Sequence, residues 1–367
     1  MPELVISRTK SQQVSNYLEE KIRSGQLKHG ERLQTVRELA ALFNVSTIVV
    51  NSAYDELEKK NLVERCGRRG VFVNDPGKKT KCFLVINYSA FGSIEYSATY
   101  ILPAFKARCI SLGIQTEEVY GDFLRNGNVR ELIRQFREQS YDGALLIGSG
   151  YVGNEQEVII LQELGIPVLI PHAPRKEAEN LGFSGFYTND RQAWFDAMKL
   201  LVERGYRKIG ALGTCRPDFN RCILRCGDGQ THLQMLHSLG VDGSDEAICY
   251  LTYGDPKQFQ EKLGQWLGDG GKFDAIMCFS DFYALRLYEY CKNHGIRIPK
   301  DLAVTGFCGY PGGNLLQPGL STIDLNYKSI GEQAADFLLN AGKHNMVQYK
   351  ETLHKLIERG STPSKTT

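Results

Sequence analysis

The sequence predicts an α/β protein in which a small helical head with a β-hairpin precedes a larger region built on parallel sheets. Helical periodicity followed by a hairpin pattern occupies the first 75 residues. From residue 82 onward, short and continuously apolar runs alternate with amphipathic helical patterns. Strands that are apolar on both sides and alternate with helices are typical of parallel sheets covered by helices on both faces. A chain of 367 residues has room for two or three such domains.

The charged residues are unevenly distributed along the chain. Over the whole sequence, 44 Lys and Arg residues against 42 Asp and Glu residues give a formal net charge of +2, which indicates no particular partner. The first 79 residues hold 14 basic and 10 acidic side chains, whereas the remainder holds 30 and 32. This asymmetry favours a nucleic acid or another acidic surface as the partner of the N-terminal region. Since no apolar run approaches the roughly 18 residues that span a bilayer, and no signal-peptide pattern follows Met1, we expect a cytoplasmic protein without a membrane partner.

Three helices are predicted in the N-terminal region, each with a recognisable start or end. Gly25 ends the first helix as a C-terminal stop. Thr35 and Glu38 have the spacing of a capping box at the start of the second helix, which Asn44 ends. Ser46 is the predicted N-cap of the third helix. Apolar side chains recur at helical spacing in these segments: Leu18, Ile22, Val36, Leu39, Phe43, Val50, Ala53, Tyr54 and Leu57.

A tight turn joins the second and third helices, and a hairpin pattern follows them. Two short helices in this arrangement form a helix-turn-helix, whose second helix can enter the major groove of DNA. Residues 61–73, NLVERCGRRGVFV, have the pattern of strand, turn and strand, so the head is predicted to be winged. At the hairpin tip, the guanidinium groups of Arg65, Arg68 and Arg69 could reach phosphates or the adjacent minor groove. The alternative, a charged turn that is merely solvated, stays open.

Residues 11–73 carry a family resemblance. The I-x-x-G-x-x-x-x-G-x-x-L entry, the R-E-L-A helix, N-V-S at the turn, the A-x-x-x-L stretch and the G-R-x-G-x-x-V wing together resemble the N-terminal domain of GntR-type transcriptional regulators. The resemblance implies that the partner is double-stranded operator DNA. With the wing included, the positions expected to bind DNA are Thr35, Arg37, Ser46, Thr47, Ile48, Val49, Asn51, Arg65, Arg68, Arg69 and Gly70.

The start of the third helix departs from this family. Thr47 stands where many relatives carry Arg, Val49 replaces a common Thr, and Asn51 replaces a common Arg. Asn can pair bidentately with adenine, and aliphatic groups can contact thymine methyls. We therefore expect an operator rich in A·T pairs.

The remainder of the chain predicts two α/β lobes after a short linker. The stretch DPGKKTK, which begins at Asp75, has no apolar periodicity and is typical of a linker. The predicted strands are CFLVINY, GALLIGS, IPVLIPH, KIGALGT, DAIMCFS and DLAVTGF. The predicted helices between them are ATYILPAFKARCISLG, EVIILQELG, AWFDAMKLLVERG and FYALRLYEYCKNHG.

Residues from about Lys81 to Thr362 resemble the effector domain of LacI-type repressors, which has the two-lobed fold of periplasmic sugar-binding proteins. The resemblance rests on IPVLIPH, YTNDRQAWFDAMKLLVERGYRKIGALG, FSDFYALRLYEYCKNHGIRIPKDLAVTGF, GLSTIDLNYKSIGEQAADFLL and LIERGST. Joined to a GntR-type head, it matches the architecture of arabinose-repressor-like proteins and implies a homodimer that responds to a monosaccharide. The expected domains are 1–75 and 82–367 with a linker at 76–81, and the expected lobes are about 82–185 plus 308–324 and 186–307 plus 325–367.

Sugar sites combine polar side chains, which bond to hydroxyls, with aromatic faces that cover the ring. Parallel-sheet folds place such residues just past the carboxyl ends of strands. Asp281 follows DAIMCFS where the LacI-type family keeps an acidic sugar ligand, so it is the first candidate. The alternative is that each candidate has only a structural role, as a helix cap or as a packed residue of a loop. The other candidates after strands are Ser89, Phe91, Ser93, Glu95, Tyr96, Ser149, Tyr151 and His172.

The family's R-x-x-G sugar contact is imperfect in this chain. Counting back from Gly240 places Asp228 where the arginine is usual, while Arg225 lies three residues earlier. Arg225 and Asp228 therefore stay as alternatives for this contact. Cys308 also replaces the Asp that usually follows G-F.

Most of the ten cysteines lie in apolar runs and are expected to be buried thiols in a reducing compartment. Cys215, Cys222, Cys226 and His232 form a local cluster, but its spacing lacks the paired C-x2-4-C of zinc sites. No metal and no cofactor are therefore predicted.

The main alternative is a cytoplasmic α/β small-molecule-binding protein or nucleotide-dependent enzyme whose N-terminal domain serves protein contacts. Residues 148–153, GSGYVG, follow a predicted strand and precede a helix, as a dinucleotide-binding loop does. The next strand ends at His172 instead of the acid that binds ribose in such enzymes. Motifs for phosphoryl transfer, zincins and serine hydrolases are absent from the sequence. A DNA-binding regulator remains the first hypothesis.

Overall fold

The computed structural model describes residues 9–66, 70–74, 81–87, 97–216, 221–252, 256–268, 271–341 and 347–365. The chain divides into two compact units, Met1–Thr80 and Lys81–Thr367. Each unit has its own core and is described separately.

The described residues of the N-terminal unit form three helices and a two-stranded antiparallel sheet. Its elements are α1 (Lys10–Arg23), α2 (Val36–Phe43), α3 (Thr47–Lys59), β1 (Val63–Arg65) and β2 (Val71–Val73). The predicted caps are confirmed. Thr35 and Glu38 form a capping box on α2, and the hydroxyl of Ser46 accepts the N–H of Val49 at the start of α3. Asn44 ends α2 in the left-handed conformation, with φ of 49°, so the chain turns directly into α3.

The core of this unit is formed by apolar side chains that recur at helical spacing. The hydroxyl of Tyr54, which is fully buried, donates to the carbonyl of Gln34 at 2.5 Å and so fixes α3 against the segment that leads into α2. The buried side chains that pack around it include Val14, Leu18, Leu39, Val50, Leu57, Val63 and Val73.

The second unit contains two sheets, and the first follows the order β14-β7-β6-β5-β3-β4 with parallel pairing throughout. Its strands are β3 (Cys82–Asn87), β4 (Gln115–Tyr120), β5 (Gly143–Ile147), β6 (Val168–Ile170), β7 (Ser184–Tyr187) and β14 (Tyr349–Glu351). The helices of this lobe are α4 (Ala98–Ser111), α5 (Gly121–Asn126), α6 (Val129–Gln139), α7 (Gln156–Leu164), α8 (Arg175–Leu181) and α13 (Tyr327–Ala341). We call this part lobe 1.

The second sheet follows the order β10-β8-β11-β12-β13-β15, and β9 pairs with β8 beside this path. Its strands are β8 (Ile209–Arg216), β9 (Arg221–Ile223), β10 (Ile248–Thr252), β11 (Ala275–Cys278), β12 (Ala303–Cys308), β13 (Ser321–Asp324) and β15 (Lys355–Ile357). The helices are α9 (Asp190–Glu203), α10 (Gly229–Ser238), α11 (Pro256–Leu267) and α12 (Asp281–Asn293), with a 3-10 turn at Asp245–Ala247. We call this part lobe 2.

The predicted division into lobes is wrong at the C-terminal side. Residues 308–324 were expected in lobe 1, yet β13 pairs with β12 in the sheet of lobe 2. Residues 325–367 were expected in lobe 2, and β15 lies there, but α13 packs against α4, and β14 pairs with β7 in lobe 1. The chain therefore passes between the described sheets after β7, after β13 and after β14. These three crossings are the connections about which two lobes of this kind can hinge.

Close backbone packing holds α13 in lobe 1. Gly331 faces α4, and a Cβ atom added there would lie 2.3 Å from the carbonyl oxygen of Ile101. Because nothing larger than a hydrogen atom fits at this position, α13 and α4 can approach this closely only with glycine at residue 331.

Candidate functional site

The start of α3 presents a mixed polar and apolar surface to solvent. Thr47 and Asn51 are exposed, and the side chain of Ile48 is 78% exposed although it is apolar. Arg37 is exposed on α2, the helix that precedes α3. Val49 is partly buried, whereas Thr35 and Ser46 are exposed but use their hydroxyls as caps. The position and exposure of α3 are therefore those of a helix that can enter a groove of DNA.

Arg65 is the last residue of β1, at the hairpin turn, and its side chain is paired with α3. Its Nη2 atom is 2.7 Å from Asp55 Oδ1 and donates to the carbonyl of Asn51 at 3.0 Å. Its Nε atom is 3.8 Å from Glu58 Oε2. The side chain therefore ties β1 to α3, and the phosphate contact expected of Arg65 stays a prediction.

The other wing residues predicted to contact DNA are Arg68, Arg69 and Gly70. Arg68 and Arg69 lie outside the described residues. Gly70 has φ of +110°, and a Cβ atom there would lie 2.9 Å from Nε of Arg32. Arg32 was not among the predicted contacts, although its backbone pairs with Phe72 and so brings its exposed guanidinium beside the wing.

Arg225, one of the residues predicted for the effector site of the second unit, lies in a cluster of polar and aromatic side chains. Its guanidinium lies over two rings, 4.0 Å from the centroid of Phe279 and 4.9 Å from that of Phe307. The Nε atom donates to the carbonyl of Phe279 at 2.8 Å, and Nη2 donates to Cys308 Sγ at 3.1 Å. The Nη1 atom donates to Asp190 Oδ2 at 3.3 Å. The side chain is only 16% exposed, so its orientation is fixed on several sides.

Charge in this cluster is balanced by Asp190. Burial opposes the charged form of Arg225, but its interactions with Cys308 and Asp190 outweigh burial and raise its pKa, so the guanidinium stays charged. Burial raises the pKa of the Cys308 thiol to about 11, which leaves it neutral near pH 7. The second carboxylate oxygen of Asp190, Oδ1, is buried and has no hydrogen-bond partner among the described residues. Asp190 Oδ1 is therefore a hydrogen-bond acceptor adjacent to the fixed guanidinium of Arg225.

Aromatic rings from both lobes meet beside Arg225. Tyr100 of α4 stacks on Tyr310 of the loop after β12, with ring centroids 4.8 Å apart and an interplanar angle of 23°. Tyr327 at the start of α13 stacks on both, at 6.3 Å and 6.0 Å. His172, which follows β6, contacts the Tyr327 ring edge at 5.3 Å. Burial lowers the pKa of His172, with Asp190 acting in the opposite sense, so its imidazole is neutral.

Asp281 stands at the start of α12 and is 7% exposed. Its Oδ2 atom accepts the backbone N–H of Tyr310 at 2.6 Å, and Oδ1 accepts the hydroxyl of Thr322 at 2.5 Å. Burial raises the pKa of this carboxyl to about 7, although both hydrogen bonds act to lower it. Asp281 thus positions the loop after β12, whose Tyr310 stacks on Tyr100 of lobe 1. A direct contact between Asp281 and a sugar stays a prediction.

Several predicted residues do not join this cluster. Asp228 caps α10, accepting the N–H of Thr231 at 2.8 Å, so of the two alternatives Arg225 is the one beside the aromatic rings. Ser149 is exposed, and the Tyr151 hydroxyl donates to the carbonyl of Ile147. Five further candidates lie outside the described residues, namely Ser89, Phe91, Ser93, Glu95 and Tyr96. The cluster residues that the sequence did not indicate are Tyr100, Asp190, Phe279, Phe307, Tyr310 and Tyr327.

The loop at residues 148–153 has its backbone donors occupied. Glu177 Oε1 accepts the N–H groups of Gly150 and Tyr151 at 2.8 and 3.0 Å. Glu155 accepts those of Val152 and Gly153 at 2.8 and 2.9 Å. In a dinucleotide-binding loop these are the groups that approach the pyrophosphate.

The cysteine and histidine cluster is not arranged around a common centre. Cys215 and Cys222 are joined in a disulfide, which the sequence analysis did not predict, and the other described cysteines form no disulfide. His232 is fully buried, and its Nδ1 atom accepts the indole N–H of Trp194 at 3.0 Å. Burial lowers the pKa of His232 to about 4. Among the described residues, no three His, Cys, Asp or Glu side chains come together as a metal site would require.

Two family models match the chain. Residues 10–73 match the model described as bacterial regulatory proteins, gntR family, and residues 198–362 match the periplasmic binding protein-like domain. In the described part of the chain, no helix is long and apolar enough to cross a membrane.

Curated relatives and solved structures agree with these matches. The HTH-type transcriptional repressor CytR of Escherichia coli K12 is 24% identical over 353 residues, which cover 91% of this chain and 98% of that protein. A LacI family transcriptional regulator from Enterococcus faecium, solved with bound ribose, superposes with a TM-score of 0.60 at 15% identity, over 78% of this chain and 100% of that one. A LacI family regulator from Weissella paramesenteroides, solved with bound sucrose, gives a TM-score of 0.61 at 15% identity, again over 78% and 100%.

The winged head and the matched models define the chain as a DNA-binding transcriptional regulator. In particular, it joins a GntR-type helix-turn-helix domain to an effector domain with the fold shared by LacI-type regulators and periplasmic binding proteins.

Proposed function

We propose that this regulator is a repressor whose affinity for operator DNA is set by a neutral monosaccharide, or a close derivative, bound between lobes 1 and 2. The observation that carries the proposal is the Arg225–Asp190 pair, which offers donors and an unpartnered acceptor beside three tyrosine rings. The repressors and sugar-bound regulators of similar sequence or fold support the same reading.

The chemistry of the pair suits hydroxyl groups. A hydroxyl both donates and accepts, so it can donate to Asp190 Oδ1 while it accepts from Arg225. Arg225 carries five N–H donors, and the contacts to Phe279, Cys308 and Asp190 use three of them. Tyrosine faces can cover the C–H side of a sugar ring. Since the carboxylate offsets the guanidinium, the cluster favours a neutral ligand over a phosphate.

Ligand binding can change the affinity for DNA by moving the two lobes about the hinge. Closure of the lobes changes DNA affinity only if the ligand prefers one arrangement of a homodimer over the other. We propose a homodimer that presents one α3 helix to each half-site of a near-palindromic operator. A coupling of about 1–3 kcal/mol would change operator affinity about 5- to 150-fold.

We also propose that the protein is cytoplasmic and is not an enzyme. The loop that most resembles a dinucleotide-binding sequence has its N–H donors paired with Glu177 and Glu155. A pyrophosphate there would have to displace two carboxylates, which makes nucleotide-dependent chemistry at this loop unfavourable.

Thermal shift against a panel of neutral sugars and sugar phosphates tests the effector part. At least one neutral monosaccharide should stabilise the wild-type protein, because ligand binding to the folded state raises stability by RT ln(1 + [L]/Kd). Arg225→Gln should abolish that shift, while Arg297→Gln, which alters an exposed pair with Asp301, should retain it. A panel without any stabilising sugar, or an undiminished shift in Arg225→Gln, would contradict the proposal.

A further inference from the structure

Cys215 and Cys222 occupy directly opposed positions of a short antiparallel ladder. Residues 214–216 of β8 pair with residues 221–223 of β9, and Cys215 faces Cys222 in that register. Side chains at directly opposed positions lie on the same face and adjacent to each other. The two sulfur atoms are bonded in this structure.

The bonded pair lies at the base of the turn that carries Arg225. After β9 the chain makes a turn closed by two backbone hydrogen bonds between Leu224 and Gly227, at 3.0 and 3.1 Å. Arg225 lies in this turn, three residues after Cys222. Among the described strands, β9 pairs with β8 alone, over three residue pairs. The disulfide therefore adds a covalent tie to the short β8–β9 ladder that leads into the turn carrying Arg225.

Exposure distinguishes this pair from the cysteines around it. Cys222 is exposed and Cys215 is partly exposed, so a soluble thiol or disulfide can reach them. Cys226, which is next to Arg225 in the chain, is 6% exposed, and Cys308 is fully buried. Burial raises the pKa of Cys226 to about 12 and that of Cys308 to about 11, so both are inert thiols near neutral pH.

We propose that Cys215 and Cys222 form a reversible thiol–disulfide site that sets how firmly the β9 segment holds Arg225 in the effector cleft. In the oxidising direction, two thiols exchange with one low-molecular-weight disulfide such as oxidised glutathione. One protein S–S bond forms, the small disulfide is reduced to two thiols, and the two protein thiol protons pass to them. A dithiol reductant reverses the exchange. The consequence for effector binding rests on the proposed function, whereas the exchange itself does not.

Peptide mapping tests the exchange directly. Trypsin cleaves after Lys208, Arg221 and Arg225 but not between Arg216 and Pro217, so Cys215 falls on residues 209–221 and Cys222 on residues 222–225. The full-length protein is equilibrated in reduced and oxidised glutathione at several ratios, blocked with N-ethylmaleimide and digested without reductant. The linked pair of peptides should grow with the oxidised fraction and vanish in dithiothreitol. Cys226→Ser should behave as wild type, and failure to form the linked peptides in excess oxidised glutathione would overturn the proposal.

Hydrogen exchange tests the consequence for the segment. Backbone amides of residues 222–228 should exchange at least 10-fold faster in the reduced than in the oxidised wild-type protein, because reduction removes the covalent tie between β9 and β8. Cys222→Ser should exchange at the fast rate in both buffers, and Cys226→Ser should keep the difference. Equal rates in the two forms of the wild type would refute a role for the bond even if the linked peptides form.

A sugar readout separates this proposal from the proposed function. Ribose and the other monosaccharides of the thermal-shift panel are titrated into oxidised and reduced protein. A weaker shift in the reduced protein supports the link to the cleft, whereas an equal shift in both forms contradicts that link. If no sugar shifts either form, the proposed effector is wrong, and the peptide and exchange results still decide the thiol–disulfide site.

Discussion

The Nη1 atom of Arg225 donates to Asp190 Oδ2 at 3.3 Å, and this pair joins the turn after β9 to the first residue of α9. Phe279 and Phe307 hold the guanidinium in place, so its remaining donors are pre-organised. A fixed donor next to an unpartnered acceptor costs little further ordering when a ligand binds. The pair is therefore the feature on which effector recognition is expected to depend.

Asp190→Asn should change the kind of ligand that the cleft prefers. The variant keeps the shape of the side chain but removes the charge that offsets Arg225. Affinity for a stabilising neutral sugar should fall at least 10-fold, since a charge-assisted hydrogen bond contributes about 1.5–3 kcal/mol. Affinity for the matching sugar phosphate should rise. Isothermal titration measures both, with Asp196→Asn on the same helix as the control, and an unchanged preference would count against the charge argument.

Asp281→Asn should remove a pH dependence of stability. The folded-state pKa of Asp281 is raised from 3.8 to about 7, chiefly by burial, so the folded protein holds a proton that the unfolded chain has released. The stabilising contribution is complete below about pH 4 and is lost as the pH rises to about 7, at about 1.4 kcal/mol per pH unit. The asparagine variant should lack this component. Urea unfolding of both proteins at pH 5 and pH 7 measures it, and parallel pH profiles would show that the carboxyl titrates normally.

Arg65 and Arg37 should differ in how salt affects DNA binding. Arg65 pairs with Asp55 and Glu58 within the head, whereas Arg37 is exposed on α2. Arg37→Ala should reduce the slope of log affinity against log salt by about 1, because one phosphate contact is lost. Arg65→Ala should leave the slope unchanged and lower the free energy of unfolding by about 1 kcal/mol or less, as expected for an exposed ion pair. Fluorescence anisotropy at several salt concentrations separates the two cases, and a reduced slope in Arg65→Ala would restore its predicted phosphate contact.

Gly331→Ala should destabilise lobe 1. The added methyl group would lie 2.3 Å from the carbonyl oxygen of Ile101, so α13 and α4 would have to separate. Overpacking of this kind costs about 1–3 kcal/mol. Chemical denaturation measures the change, with Asn340→Ala at an exposed position of α13 as the control. Equal stability of the two variants would mean that the helices can move apart at no cost.

Much of the fold was predictable because local signals decide it. The capping box of Thr35 and Glu38, the Ser46 cap and the continuously apolar strands such as β5 all appear where the sequence indicated. Strand β4, with the sequence QTEEVY, was missed because an edge strand exposes polar side chains and shows no apolar run. The lobe boundaries were misplaced because the pairing of β13 and β14 depends on contacts far apart in sequence.

The candidate site was harder to predict from sequence. Counting along the chain favoured Asp228 as much as Arg225, but the choice between them depends on the β9 hairpin and on the rings of Phe279 and Phe307, which come together only in the folded lobe. The tyrosines at positions 100, 310 and 327 lie in three separate segments, so no local pattern links them. The ion pairs of Arg65 were not predicted for the same reason, because Asp55 and Glu58 come beside it only in the folded head.

Occupancy of the effector site is expected to control the affinity of the regulator for operator DNA, and one titration measures this effect. An operator duplex selected from a random-sequence library is titrated with the regulator by fluorescence anisotropy, with and without a saturating monosaccharide that stabilises the protein. The account predicts that the sugar weakens binding of the wild type at least 5-fold and leaves Arg225→Gln unaffected. A sugar that binds the wild type but does not change its operator affinity, or that changes the affinity of both proteins equally, would contradict it.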